Sequence, residues 1–534
     1  MQGPSATNPF GDIAKSESLN AARTFFNAPT QTFENPLMSR NIVASAAYVT
    51  GSHSLKVGMT HRFGWITADR KNNGHIRQIY QNGNPFQVEL YNFPIVSRSE
   101  LNSDMGIYIQ DQWSLGRLTL NPGLRWERFN GEVPEQTSPA GRFVPERHFP
   151  RIQNLPNYKD WVPRLGASFD LFGDGKTGIK ASVGRYMEQD ASAFQERYNP
   201  MTLAPATVGW TDLNQNDIAD GPLGCTYLSA GCEINFGQVP TTFGVRRNRN
   251  PDANLERPNQ MVYNVGFTRE LRPGIGISAN YYRRQFYDIT FTTDLAKPLS
   301  AYRAYNIPDP RGNGQTVTVY NLEDPVAIRS LNELDTTSSD NTSVFDSVDF
   351  GMNLRLGGAT LSGGTATGRS RARTCDVADP NATRYCDDFQ FDIPWRTHFK
   401  MSGMYPLPYG IRLSAVFQST AGDRVNQTYL VTATTFRNLT GVTMGQSSVT
   451  FGGAGRGPFN EPGSVYYPRV NQMDFTVAKT FRIGGVRVTP DVSLFNIFNA
   501  NPIVSQTVAF GSSLGNPLRI LEGRLIRFGL QARF

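Results

Sequence analysis

Counting back from the carboxy terminus, Phe534, Ala532, Leu530, Phe528 and Ile526 fall on one face of an extended segment, and Arg533, Gln531, Gly529 and Arg527 fall on the other. Side chains alternate across a strand with a period of two, so this segment has one apolar and one polar face. At about ten residues it is long enough for a tilted strand to cross a bilayer. The same alternation recurs at Val486/Val488/Val492/Leu494, Met473/Phe475/Val477, Ile411/Leu413/Ala415/Phe417, Phe399/Met401 and Val348/Phe350/Met352/Leu354. Further upstream it appears at Ile275/Ile277/Ala279/Tyr281, Tyr263/Val265/Phe267, Ile179/Ala181/Val183 and Leu165/Ala167/Phe169. Leu118/Leu120/Leu124/Trp126, Ile107/Ile109, Leu55/Val57/Met59 and the run Ile42 to Val49 complete a series of about fifteen strands.

The connections carry a second signal, because short and long links alternate. Short ones fall at Gly51-Ser52, Leu115-Gly116, Gly173 to Lys176, Arg272 to Gly274, Gly357-Gly358, Pro406 to Gly410 and Gly484-Gly485. Long polar segments lie near 66–102, 129–158, 188–258, 287–342, 370–394, 420–469 and 499–520. This asymmetry predicts an all-β, transmembrane, antiparallel up-and-down β-barrel with short periplasmic turns and long extracellular loops. A soluble sandwich or propeller has no need of it, and its strands are shorter.

Composition agrees with strands rather than helices as the crossing elements. The hydrophobic fraction is 39% and the mean hydropathy −0.39, and no window approaches the 18 or so apolar residues of a spanning helix. Lipid offers no partner for free backbone groups, so the crossing must be a closed barrel. The 52 basic and 45 acidic residues give +7, but the cations are scattered through loops and strand ends with no basic helix or dense run. No nucleic-acid partner is expected from that distribution. Residues 1–35 are polar and loop-like, and Met1 is followed by no basic and apolar leader, so the chain is expected to be a fragment or to have a misplaced start.

The segments YIQDQWSLGRLTLNPGLRWE (108–127) and WVPRLGASFDLFGDGKTGIKASVGRY (161–186) resemble the paired-strand signatures of TonB-dependent receptor barrels. FKMSGMYPLPYGIRLSAVFQS (399–419), RVNQMDFTVAKTFRI (469–483) and DVSLFNIFNANP (491–502) are similar to the closing strands of that family, with the Oar-like receptors as the subgroup. The resemblance runs from about Pro36 to Phe534 and implies a barrel of about 22 strands filled by a plug. About fifteen strands would then be the carboxy-terminal part, 36–534, preceded by an extracellular-loop-like segment 1–35 and lacking the plug and first strands. An odd strand count is unusual for a bacterial barrel, and an open sheet in lipid would leave two unpaired edges, so the chain alone is not expected to form a functional pore. The terminal Phe534 with Ile526, Phe528, Leu530 and Ala532 resembles the signal read by the barrel assembly machinery; the same residues also suit a lipid-facing girdle.

Site chemistry is sparse. No nucleophile elbow, His-Glu-x-x-His, phosphate loop or dinucleotide fingerprint occurs, so no catalytic residue is expected. Asp212, Asn214, Asn216 and Asp220 stand at relative positions 1, 3, 5 and 9 of DLNQNDIAD, an oxygen array suited to calcium, although Asp217 replaces the turn glycine and Leu223 the closing glutamate. An Asx-rich solvated turn is the alternative. Calcium is the only cofactor this array suggests. Cys225/Cys232 and Cys375/Cys386 are close pairs inside polar segments, which points to two disulfides and an oxidising compartment. Arg125, Arg527 and Arg533 are expected on the lumen side, facing plug carboxylates, an anionic ligand or solvent.

The function expected is uptake of a bulky or scarce solute across the bacterial outer membrane by plug displacement, without bond chemistry. A passive porin-like channel and a surface recognition or adhesion protein are the alternatives. The partners implied are outer-membrane lipid and lipopolysaccharide, the assembly machinery, TonB acting through a missing plug, and a ligand the sequence does not identify.

Overall fold

The computed structural model describes residues 12–19, 31–189, 192–240, 243–244, 248–453 and 457–534. Fifteen long strands follow one another in a single antiparallel barrel sheet. The first five are β1 (Leu37–Thr50), β2 (His53–Lys71), β3 (Ile95–Leu115), β4 (Leu118–Glu132) and β5 (Asn157–Asp170). Then come β6 (Thr177–Met187), β7 (Asn259–Arg272), β8 (Ile275–Tyr287), β9 (Thr342–Leu356) and β10 (Ala359–Arg373). The wall continues through β11 (Arg396–Pro406), β12 (Ile411–Thr420), β13 (Val470–Lys479, prolonged by Phe481–Ile483), β14 (Val486–Phe495) and β15 (Leu525–Arg533). Each pairs with its sequence neighbour, from Ala44↔Met59 between β1 and β2 to Val492↔Phe528 between β14 and β15. Among the described residues no register joins β1 to β15, and both strands are exposed along almost their whole length. Among them, too, no helix is long and apolar enough to cross a membrane.

Register sorts the side chains. The row Ala44, Met59, Ile107, Trp126 and Trp161 crosses five strands on one face, and Ser45, Gly58, Tyr108, Arg125 and Val162 form the adjoining row on the other. The apolar face is the outer one: Val265, Phe350, Val477, Phe528 and Leu530 are all exposed there. An outer face this apolar is stable only against lipid. Short turns close one end of the wall, as at Gly357 and Gly358, whose φ angles of +57° and +84° match the two-residue hairpin that requires left-handed backbone at both positions.

The structure departs from the sequence reading at the other end. β2 and β3 are 19 and 21 residues long, so the wall runs past the limits set by apolar alternation. The second short turn is Gly116-Arg117 rather than Leu115-Gly116. Backbone pairing continues where the outer side chains have already become polar, and hydropathy cannot mark that extension. The amino-terminal segment is also more than a loop. Ala14–Glu17 pairs in parallel with Ile76–Gln81, and Thr32–Glu34 pairs with the top of β2; residues 1–11 and 20–30 lie outside the described residues.

The long connections contain folded caps. In the first, the hairpin Ile76–Gln81/Asn84–Leu90 joins Ala206–Gly209 over a core of Ile76, Val88, Leu90, Trp210 and Ile234, each no more than 2% exposed. In the second, the hairpin Tyr302–Pro308/Thr316–Leu322 packs on Tyr429–Thr432, Ser448–Phe451 and the helix Ala433–Thr440 around Val317, Val319, Phe436 and Phe459. Phe436 is fully buried at the centre. Phe436→Ala is expected to destabilise this second cap by about 3–5 kcal/mol. Limited proteolysis would show new cleavage confined to 302–322 and 429–459, with the wall strands still protected.

Candidate functional site

The inner face of the wall is polar and internally paired. Arg125 donates from Nε to Glu127 Oε1 at 2.7 Å and from Nη2 to Thr60 Oγ1 at 2.9 Å. Its guanidinium occupies the space that a side chain on Gly106 would need: a Cβ there would lie 1.8 Å from Nη2. Gly58 leaves the same kind of room for Tyr108. Arg62 pairs with Asp104 at 2.7 Å, and Arg164 lies over the Tyr186 ring at 4.4 Å. Arg257, 4% exposed, reaches Glu127 at 3.0 Å and Asp160 at 3.5 Å and donates to the Glu188 carbonyl at 2.7 Å. Sequence reasoning missed Arg257 because its partners are distant in sequence and no local pattern connects them. Of the arginines expected on this side, Arg125 is held as described. Arg527 faces Asp491 at 3.6 Å and Ser493 at 3.3 Å, and Arg533 sits opposite Arg487 on the exposed last strand.

At the long-loop end of β9 to β12 this inner face widens into a cavity of about 440 Å³. Ser347, Gly368, Arg396 and His398 line its wall side, and Asp388, Ile393 and Tyr466 its loop side. Arg396 stacks on Tyr466 at 4.1 Å and donates to the Gly422 carbonyl, while Arg424 fixes Asp388 at 3.0 Å. The loop that roofs the cavity is the one closed by the Cys375–Cys386 disulfide. A pocket with a stacked guanidinium, an imidazole and hydroxyls on a rigid sheet can orient a polar or anionic solute.

A second polar centre ties the loops above the wall together. Asp335 is fully buried in the strand Glu333–Ser338. It takes bonds from Arg249 at 2.7 and 3.0 Å, from Thr292 at 2.6 Å and from Tyr198 at 2.6 Å. Burial pushes its carboxyl up, but Arg249, Thr292 and Tyr198 together outweigh burial and hold it below the ordinary carboxylate range.

The oxygen array of residues 212–220 folds on its own donors. Asp212 accepts from the Asn216 and Asp217 N–H groups, Asn214 from Asn216 N–H and Asn216 from Ile218 N–H. The amides of Asn214 and Asn216 donate to Asp220 at 3.2 and 2.8 Å. Asp217, at the position where a calcium loop carries glycine, adopts φ +60° and pairs with Lys15 and Tyr80. Glu233, 1% exposed, accepts from the Leu213, Asn214 and Asp220 N–H groups and is a loop-organising residue that the sequence reading did not select. Among the described residues no three His, Cys, Asp or Glu side chains converge as a metal site. The Cys225–Cys232 disulfide follows this array in the chain. Ile526, Phe528, Leu530 and Ala532 share the outer face of β15, and Phe534 is fully exposed beyond it.

Three outcomes are expected from these contacts. Gly106→Ala displaces Arg125 from Glu127 and Thr60, which costs about 1–3 kcal/mol of overpacking and shows as a lower unfolding midpoint that Arg125→Met restores. The folded-state pKa of Asp335 lies below its unfolded value, so its contribution is present above the ordinary range near pH 4 and is lost as pH falls through the lowered value. Hydrogen-exchange protection factors across 249–251 and 333–338, taken relative to the intrinsic rate at each pH, are therefore expected to fall on acidification, and Asp335→Asn to remove most of that pH dependence. Asp212→Ala, which strips the Asp217 N–H of its acceptor and the Asn216 N–H of one of its two, is expected to open the 212–220 loop to protease equally in calcium and in chelator. Calcium-dependent protection of the unaltered loop would instead establish the cation site.

Residues 2–412 match the family described as "Outer membrane beta barrel domain", well over half of the 534-residue chain. No curated protein matches. Among solved structures, the outer membrane transporter YddB from Escherichia coli is similar at 11% identity and a TM-score of 0.49, covering 98% of this chain and 58% of its own. The FrpB iron transporter from Neisseria meningitidis (F5-1 variant) is similar at 11% and 0.48, covering 93% and 56%. The siderophore receptor PiuA from Acinetobacter baumannii is similar at 10% and 0.46, covering 94% and 56%. The chain thus spans less than two thirds of the length of the structures it resembles, and its assignment rests on the family match. The chain belongs to the outer membrane β-barrel domain family, and its place is the bacterial outer membrane.

Proposed function

We propose that this chain is the wall and extracellular face of a transporter that takes up a scarce or bulky solute by displacement of a plug coupled to TonB, with no bond chemistry on the solute. The observation that carries this reading is the combination of a polar, mutually paired inner wall with long loops that are folded and stapled above it. Folded caps present a fixed binding surface at low ordering cost. The cavity at Arg396, His398 and Tyr466 lies where a solute descending from those caps first meets the wall. Movement inward then requires a coupled conformational step, and its direction must come from an energy source outside the barrel. The Oar-like character, the plug, TonB and the assembly machinery belong to this reading as partners implied by the sequence resemblance.

A passive channel is the competing reading, and conductance separates the two. The full-length protein in a planar bilayer is expected to pass no steady ion current until mild denaturant loosens its plug. Steady current in the absence of denaturant, and solute uptake that persists in cells treated with an uncoupler, would establish passive diffusion instead.

A further inference from the structure

An apolar groove of about 980 Å³ runs along the outer face of β1 to β5. Met59, Ile107, Trp126 and Trp161 lie in its row nearer the long-loop end, and Ala46, Ile109 and Leu124 in the row below. The two tryptophans are direct cross-strand partners. Two residues farther along the same face of each strand, Arg128 and Lys159 are again direct partners. The sequence on both strands therefore switches from apolar to cationic at the same height: Leu124, Trp126, Arg128 on β4 and Leu165, Pro163, Trp161, Lys159 on β5.

Like charges directly opposite one another on a sheet destabilise it. Among the described residues no ion pair engages either cation, and the covered Nε of Arg128 has no hydrogen-bond partner. The pair sits just above a tryptophan girdle, at the level where lipid headgroups lie and where a cation costs little. An anion bridging Arg128 and Lys159 would convert their repulsion into two charge-assisted contacts. The groove below spans five strands, roughly 19 Å at the usual strand spacing, which is wide enough for several acyl chains side by side.

We propose that this surface is a binding site for a phosphorylated, multiply acylated glycolipid of the outer leaflet. Its acyl chains fill the groove beneath Trp126 and Trp161, and its phosphate rests on Arg128 and Lys159. The long-loop end faces outward, so the lipid is drawn from the outer leaflet, and the number of chains the groove accommodates favours a glycolipid over a two-chain phospholipid.

The test uses the full-length protein purified in detergent, with bound lipid counted by native mass spectrometry after addition of lipid A, dephosphorylated lipid A or phosphatidylglycerol. The paired substitution R128Q/K159Q is expected to weaken lipid A retention about tenfold, the scale of one charge-assisted contact, and dephosphorylation of the lipid to weaken it to a similar extent. Ala46→Phe, which fills the groove without altering charge, is expected to weaken lipid A and its dephosphorylated form alike. Heat-modifiable gel migration verifies that each variant is folded. Retention unchanged by R128Q/K159Q and by Ala46→Phe would overturn the proposal, as would phosphatidylglycerol binding as tightly as lipid A.

Discussion

Every backbone N–H and C=O within the lipid must find its partner inside the protein, and the rest of this structure follows from that requirement. Antiparallel pairing between sequence neighbours meets it along the ladder from β1 to β15, and the strict alternation of faces is a geometric by-product. One rank of side chains is left to dissolve in lipid, and the other is free to be polar. Because the two ranks are linked by register, a side chain cannot be moved between them without moving the strand.

The inner rank uses that freedom to hold charge in balance. Arg125 with Glu127 along β4, Arg62 with Asp104 across β2 and β3, and Arg257, just ahead of β7, with Glu127 and Asp160 are short-range pairs. Glycines on neighbouring strands make the pairs possible, because Gly58 and Gly106 vacate the space that Tyr108 and Arg125 fill. Above the wall a different principle operates. There the chain is in water, and the caps are built as small globular units with their own cores around Trp210 and Phe436 and a buried carboxylate, Asp335, that joins loops distant in sequence.

The wall was legible in the sequence because lipid imposes a period of two on it, and fourteen sets of alternating residues fall on fourteen of the fifteen strands; β10 has none, since its outer face carries Gly363, Thr365 and Thr367. The caps were not, since a hairpin such as Tyr302–Pro308/Thr316–Leu322 is polar on its outer side and its inner residues, Val317 and Val319, make too short a run to stand out. The close cysteine pairs were readable because a loop of seven or eleven residues brings its ends together by itself. Contacts such as Arg257 with Asp160 or Arg249 with Asp335 depend on which loops meet above the sheet, and no local pattern records that. The cation pair at Arg128 and Lys159 lies between these extremes. Each residue is unremarkable alone, and only the register that sets them opposite each other gives them meaning.

The length of β2 and β3 has one further consequence. At roughly 3.3 Å per residue and a tilt near 40°, strands of this length rise to roughly 50 Å, about twice the apolar band of an outer-membrane barrel. On this side the mouth of the structure stands well clear of the bilayer, as a parapet rather than an opening flush with the surface. A molecule sliding along the headgroups meets a fence, whereas one approaching from the bulk medium meets the folded caps first.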